Sequence, residues 1–381
     1  MRFIPSPCLT YKTKINRVTG MLDINENIEQ EINRAISFIQ EALDQEPSYI
    51  EVEADEEEKD PLQLDKNLDE LSFHIIKEEE PPGKVAAVDG GSATVVKGRS
   101  FLIGVYRVGA VIYQKGKRID QKIIPLQLEI ISQANHHQMY LSAFRMLTGE
   151  EPSEAPGIDK MLDRLRLFSE WKLAQSLLDE LESGDILLMD GSLKASIAPP
   201  YNFLLQFTQK AKDKGVHLLG VTKTSTLYWG DKAPLIPAVM KRGEKFCPNS
   251  KWSCQLSDGV SHKVHTGERL HITTSNYFGK IYVAKLKASS GFGFRIDVNR
   301  FDPVDADSIF SFLSHLSGDP AFLGYPYPLA AVHNISRITL SEIEDIRYKL
   351  QSKAFEKGIT TSDWDLLFTD FHEVLNADLN R

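Results

Sequence analysis

Two aspartates in this 381-residue chain stand where carboxylates are least expected, each closing an apolar run and each followed by glycine: Asp89 in VAAVDGG and Asp190 in ILLMDGS. Short continuous apolar runs of this kind read as buried strands. Burying an ionised carboxylate is costly unless it is paired or bound to metal, so a ligand role is the better reading of both. Aspartates ending adjacent strands would bring their oxygens within a few ångströms of each other. Mg²⁺ or Mn²⁺, which favour carboxylate and water ligands, would relieve that repulsion most simply. Gly90 and Gly91 carry no Cβ and let other backbone come close.

Other polar groups lie in suggestive places. His333 stands in an apolar run that opens a helix, eight residues after Tyr325 in GYPYPLAAVH. A histidine there is either a satisfied core residue or, beside two aspartates and a glutamate, the borderline ligand or acid/base group that completes a four-ligand site. The glutamate is Glu170, beside Trp171 in the middle of a helical stretch and so at the edge of its buried face. Lys223 closes the strand-like GVHLLGVTK, where a cation could bind phosphate or hold a neighbouring carboxylate. Asp297 in GFGFRIDVN is a further candidate ligand, with Arg295 and Arg300 as alternative structural partners.

These residues need a scaffold. Ile24, Ile28, Ile32, Ile36, Ile39 and Leu43 recur at helical spacing, which predicts an amphipathic helix over residues 20–45 that must cover the core or another subunit. The acidic run at 51–60 and the EEEPPGK segment at 78–84 read as a linker. From Val85 an apolar strand, an Asp-Gly-Gly break and two β-rich segments, with no helix between, predict an antiparallel meander. Leu162, Leu165, Phe168, Trp171, Ala174, Leu178 and Leu181 then predict a helix closed by Gly184. Strands ending at Asp190 and Lys223 follow, and residues 226–290 mix basic turns with alternating segments that predict a β-rich extension.

A composition of 42% hydrophobic and 25% charged residues fits a globular protein. No run reaches the roughly 18 apolar residues of a spanning helix, and the N-terminus lacks a signal-peptide pattern, so the expectation is a cytoplasmic protein with no membrane contact. Cys8, Cys247 and Cys254 are too few for a disulfide framework, and the spacing of the last two matches no common zinc pattern, so they read as free thiols. The net charge of -9 does not announce a nucleic-acid binder. Seven of the ten residues at 51–60 are acidic, however, so one segment carries much of the imbalance. Basic residues gather at Lys115, Lys117 and Arg118, at Lys210, Lys212 and Lys214, and at Lys241, Arg242 and Lys245, all read as loops.

The order VAAVDGG, a helical glutamate, LLMDGSL, GVTKTS and GYPYPLAAVH resembles the NurA-domain nuclease family, from about Lys84 to about Ile338. The two strand motifs and the terminal Tyr and His elements are its most specific parts, and the glutamate is placed by its distance before Asp190. The resemblance implies a ribonuclease H-like fold, so the expectation is an α/β protein with a mixed sheet flanked by helices, to which the patterning above adds a β-rich extension and an N-terminal helical segment. The chain then divides into a helical segment and acidic linker at 1–82, which have no match in the family, a nuclease domain at 83–340 and a C-terminal helical tail at 341–381. The resemblance implies a phosphodiester hydrolase that cuts DNA with Mn²⁺ preferred over Mg²⁺, degrades from 5′ ends and cuts single strands internally. It further implies a homodimer that works with a hexameric HerA-type ATPase translocase in DNA-end processing and repair.

Carried over by motif, Asp89, Glu170, Asp190 and His333 become metal ligands and Tyr325 an active-site residue near the substrate, while Lys223 and Asp297 match less closely. Two ions held by the four ligands would bind the scissile phosphate, activate a water and stabilise the leaving 3′ oxygen. They would also reverse the local sign of charge, which lets an acidic protein act on DNA. Two other readings share parts of the pattern. An ATP-binding enzyme of the actin and sugar-kinase superfamily shares the strand, Asp, Gly-Gly and hairpin opening, with SSGFGF at 289–294 as its nucleotide-binding turn, but no duplicated half is recognisable. A non-catalytic adaptor of a DNA translocase would bind its partner without metal-dependent cleavage.

Overall fold

The structure is a computed structural model that describes residues 24–44, 71–98, 100–152, 155–225, 228–229, 233–257, 263–266, 269–272 and 276–368. The acidic run at 51–60, Cys8 and the tail beyond 368 lie outside the described residues. In chain order the elements are α1 (Ile24–Asp44), β1 (His74–Ile75), β2 (Val85–Lys97), β3 (Phe101–Gln114), β4 (Lys117–Ser132), α2 (His136–Thr148), α3 (Ile158–Glu180), β5 (Ile186–Asp190), α4 (Tyr201–Lys214) and β6 (His217–Thr222). There follow β7 (Tyr228–Trp229), β8 (Ala233–Pro234), α5 (Leu235–Phe246), β9 (Trp252–Ser257), β10 (Lys263–Thr266), β11 (Arg269–Ile272), β12 (Gly279–Lys285), β13 (Phe294–Asn299), α6 (Ala306–Leu316), α7 (Tyr327–Ser336), α8 (Leu340–Glu356) and α9 (Thr361–Phe368).

Nine strands form one mixed sheet in the order β1-β9-β12-β13-β6-β5-β2-β3-β4. The antiparallel meander β2-β3-β4 comes first; β5 then joins β2 in parallel and β6 joins β5 in parallel. The remaining strands extend the sheet antiparallel beyond β6, which is the expected β-rich extension. That extension also contains α5, a helix with Pro237 and Gly243 inside it. Consequently Lys241, Arg242 and Lys245 lie on a helix rather than in a loop, as do Lys210, Lys212 and Lys214 on α4.

Both faces of the central strands are buried, and residue parity decides which core each side chain joins. Ala86, Val88, Leu187, Met189 and Leu218 pack with Leu162, Leu165 and Phe168 of α3, together with α2 and α4. Val85, Ala87, Ile186, Leu188, Leu219 and Val221 pack with Ile309, Phe310 and Leu313 of α6 and Leu329 and Val332 of α7. Burial on this scale contributes roughly 1.5–3 kcal/mol per large apolar side chain, before the ordering entropy is subtracted. Helix α1 settles on the core: Ile32, Ala35, Ile36 and Ile39 are buried with Leu126, Leu128 and Ile130 of β4 and Ile346 and Leu350 of α8.

Two local expectations change. The Asp-Gly-Gly segment is no break, because β2 continues through it with Gly90 opposite Val108 and Gly91 opposite Arg107. Helix α3 ends before Gly184, at Glu180, with Leu181 as its cap, whose N–H still donates to Leu177 O; Gly184, with φ 89, serves the turn that leads into β5. Among the described residues no helix is long and apolar enough to cross a membrane.

Candidate metal centre

The register of the parallel pair places the two aspartates side by side. Val88 pairs with Met189, so Asp89 and Asp190 occupy the next position on neighbouring strands. Parity then fixes their direction, since Asp89 continues the series Val85 and Ala87, and Asp190 the series Ile186 and Leu188, towards α7. His333 enters from that helix: its Nδ1 lies 2.8 Å from Asp89 Oδ2. Asp89, Asp190 and His333 each offer a ligand atom, and the three atoms lie within 4.8 Å of one another.

Each carboxylate is held. Asp89 is buried; its Oδ1 accepts from Gly90 N at 2.7 Å, and its Oδ2 accepts from Ser336 Oγ at 3.2 Å. Asp190 Oδ2 accepts from Lys223 Nζ at 2.6 Å. Burial and the neighbouring Asp89 charge push the Asp190 carboxyl up, against the lowering effect of Lys223. Lys223 Nζ also lies 5.1 Å from the centre of the Tyr325 ring. The Tyr325 hydroxyl is buried without a well-formed hydrogen bond, and burial followed by the charges of Asp190 and Asp89 drives its pKa far up. Two oxygens from carboxylates that repel each other, together with an imidazole nitrogen, fit a divalent cation of the Mg²⁺ or Mn²⁺ kind.

Glu170 is close to this cluster without belonging to it. It lies on α3, across β2 from α7, 3% exposed and ion-paired with Arg166 one helical turn earlier. Its carboxyl is pushed up to about 7, chiefly by burial, with Asp89 and Asp190 adding to the rise and Arg166 opposing it. The two glycines explain how both helices reach the strand. A Cβ on Gly90 would collide with Glu170 Oε1, and one on Gly91 would stand 2.7 Å from Ser336 O of α7.

Asp297 faces the other way. Phe294, Ile296 and Val298 take the α6 and α7 side of β13, which turns Asp297 to the opposite face. There it is fully buried, accepts from Arg295 Nε at 2.8 Å and Nη2 at 2.7 Å, and accepts from Leu193 N at 3.0 Å. It is a structural ion pair. Cys247 and Cys254 are both free thiols, Cys254 fully buried. Sequence reasoning missed Ser336 and Arg166, although each sits one turn along a helix from a residue it did single out, at i+3 from His333 and i−4 from Glu170.

A three-stranded meander followed by two parallel strands, flanked by helices and carrying carboxylates on its two central parallel strands, defines the ribonuclease H-like class of α/β fold. The family model described as the NurA domain matches residues 83–338, and the chain belongs to that family. Among solved structures it is similar to the NurA nuclease from Sulfolobus solfataricus, at 17% identity and a TM-score of 0.47 over 87% of this chain and 95% of that one. It is also similar to a NurA bound to dAMP and manganese, at 9% identity and TM-score 0.43 over 78% and 92% of the two chains. The catalytic domain of human endonuclease V follows at 12% identity and TM-score 0.33, over 86% and 98%. No curated protein matches the chain.

Proposed function

We propose that the chain is a divalent-metal-dependent deoxyribonuclease that hydrolyses phosphodiester bonds at Asp89, Asp190 and His333. The observation that carries this reading is the convergence of those three ligand atoms within 4.8 Å, on one face of neighbouring parallel strands, in a chain of the NurA family. Bound Mn²⁺ or Mg²⁺ would polarise a phosphoryl oxygen and lower the pKa of a bound water. The residues divide the remaining work. Asp89 and Asp190 would hold the cation, with Ser336 and Lys223 fixing their orientation. With Nδ1 turned to Asp89, His333 keeps Nε2 for a ligand bond or a proton. Glu170, held by Arg166 on the other face of β2, would join the ligand set only on leaving that ion pair. Lys223 supplies the positive charge a phosphate needs beside two aspartates, and the Tyr325 hydroxyl, buried beside Asp190 without a well-formed hydrogen bond, is placed to donate to the substrate. Two ions, 5′-to-3′ exonuclease and single-strand endonuclease action, a homodimer and a HerA-type ATPase partner in DNA-end repair complete the proposal, on the family's pattern.

The test incubates end-labelled single- and double-stranded DNA with the protein in Mn²⁺, Mg²⁺ or EDTA, alongside Asp190→Asn. The unfolding midpoints of both proteins in EDTA serve as the folding control. Cleavage by the wild type in metal alone, lost in a folded Asp190→Asn, is the expected result. Cleavage in EDTA, or by Asp190→Asn at the wild-type rate, sinks the assignment, and tight ATP binding without DNA would favour a kinase-like enzyme instead.

A further inference from the structure

The SSGFGF segment has no role in the metal centre, yet the fold delivers it to the same end of the sheet. It forms the turn between β12 and β13, and Arg295 at the start of β13 pairs with Thr222, the residue before Lys223. Phe294 packs its ring 5.3 Å from that of Tyr325. Two residues further out, Phe292 is 56% exposed, and two residues before Tyr325, Leu323 is 55% exposed. Two large apolar side chains therefore flank the Phe294 and Tyr325 contact on the solvent side. Each is two residues along the chain from that contact, so at most about 7 Å of backbone separates it from the pair beside the proposed site.

Their exposure is held in place. Ser290 Oγ accepts from Phe292 N at 3.0 Å and donates to Leu323 O at 2.5 Å, so one buried hydroxyl ties both loops together. A Cβ on Gly293 would collide with Met240 Sδ of α5, which pins the turn just past Phe292, while one on Gly291 would meet nothing within 4 Å. Leu323 has φ 53, a left-handed conformation unfavourable for a branched apolar residue. An exposed phenylalanine braced on one side and an exposed leucine in a disfavoured backbone conformation give up stability for no packing in return. Lys223 and Lys287, whose Nζ donates to Gly318 O at 3.0 Å, lie beside the same loops and supply positive charge.

We infer that Phe292 and Leu323 form an apolar platform on which an unpaired base of single-stranded DNA stacks as the strand leads into the metal centre. An aromatic face beside lysines is the recurring solution for gripping a single strand without reading its sequence. In a duplex that face of the base is already stacked, so the platform favours single strands. The inference rests on the proposed nuclease reading, because it takes DNA to be the ligand.

The test measures binding of a fluorescent oligothymidylate to Asp190→Asn by anisotropy, in Mn²⁺ at fixed salt, with Phe292→Ala, Phe292→Trp and Leu323→Asn added in turn. Stacking of one base on one ring is worth a loss of roughly 5- to 100-fold when the ring is removed. Phe292→Ala and Leu323→Asn should weaken binding, Phe292→Trp should keep it, and a duplex of the same length should respond several-fold less. Oligonucleotides carrying one abasic position at a time add a second readout. A single position should weaken binding to the parent, and that sensitivity should vanish in Phe292→Ala. Equal binding by the parent and Phe292→Ala, or abasic sensitivity unchanged by the substitution, overturns the platform and leaves the nuclease reading intact. Failure to bind any DNA by both the parent and the wild type, the latter measured in Ca²⁺ to hold back cleavage, overturns both.

Discussion

Gly90→Ala tests the architecture of the centre at its tightest point. Gly90 sits inside a strand, paired with Val108, and needs no unusual backbone angle, so only its missing side chain explains it. A Cβ there would collide with Glu170 Oε1 and stand 3.0 Å from Arg166 Cγ and 3.1 Å from Val108 Cγ2. Glu170 is 3% exposed and ion-paired, so it cannot swing into solvent without breaking that pair. Overpacking of this kind costs about 1–3 kcal/mol, and the buried ion pair places Gly90→Ala near the middle, at about 2 kcal/mol. For a chain of 381 residues that lowers Tm by roughly 2–3 °C. The assay is a double-mutant cycle of thermal unfolding in EDTA. In a Glu170→Ala background the principal obstacle is gone and the two remaining neighbours are side-chain atoms able to shift, so most of the cost should disappear, a coupling of at least about 1 kcal/mol. If Gly90→Ala costs the same in both backgrounds, Glu170 does not lie against β2 as described.

Two further predictions concern charge. The Glu170 carboxyl, at 4.5 when unperturbed and about 7 in the fold, holds its proton longer folded than unfolded. Its contribution is therefore full below about 4.5 and is lost as pH rises to about 7, on the order of 3 kcal/mol, with Asp190 acting in the same direction. Urea unfolding in EDTA should show stability falling across that window and a flatter profile for Glu170→Gln; parallel profiles would contradict the shift. Lys223 competes with a cation for Asp190, so Lys223→Met should bind Mn²⁺ more tightly by calorimetry while cleaving DNA more slowly, and weaker Mn²⁺ binding would show that the lysine assists the metal.

The centre was legible where an apolar run ended in a charge. Asp89, Asp190 and Lys223 each continue the parity of a run that joins one core, so composition and position sufficed. His333 needed the motif that brings α7 against β2. Asp297 was not decidable, because every position of β13 is buried and alternation carries no signal there. The glycine pair read as a break, since glycines usually interrupt strands; their reason is tertiary, the approach of α3 to one face and α7 to the other. Helix α5 was hidden by Pro237 and Gly243. The docking of α1 was a choice between the core and another subunit that periodicity could not make, and Ile32, Ile36 and Ile39 buried against β4 and α8 make it.

The most direct measurement is anomalous diffraction from crystals of the protein soaked in Mn²⁺. The account predicts a manganese peak at about 2.2 Å from carboxylate oxygens of both Asp89 and Asp190, next to His333 and absent from crystals of Asp190→Asn. A protein that cuts DNA in Mn²⁺ while its manganese binds elsewhere, or equally well in Asp190→Asn, would contradict it.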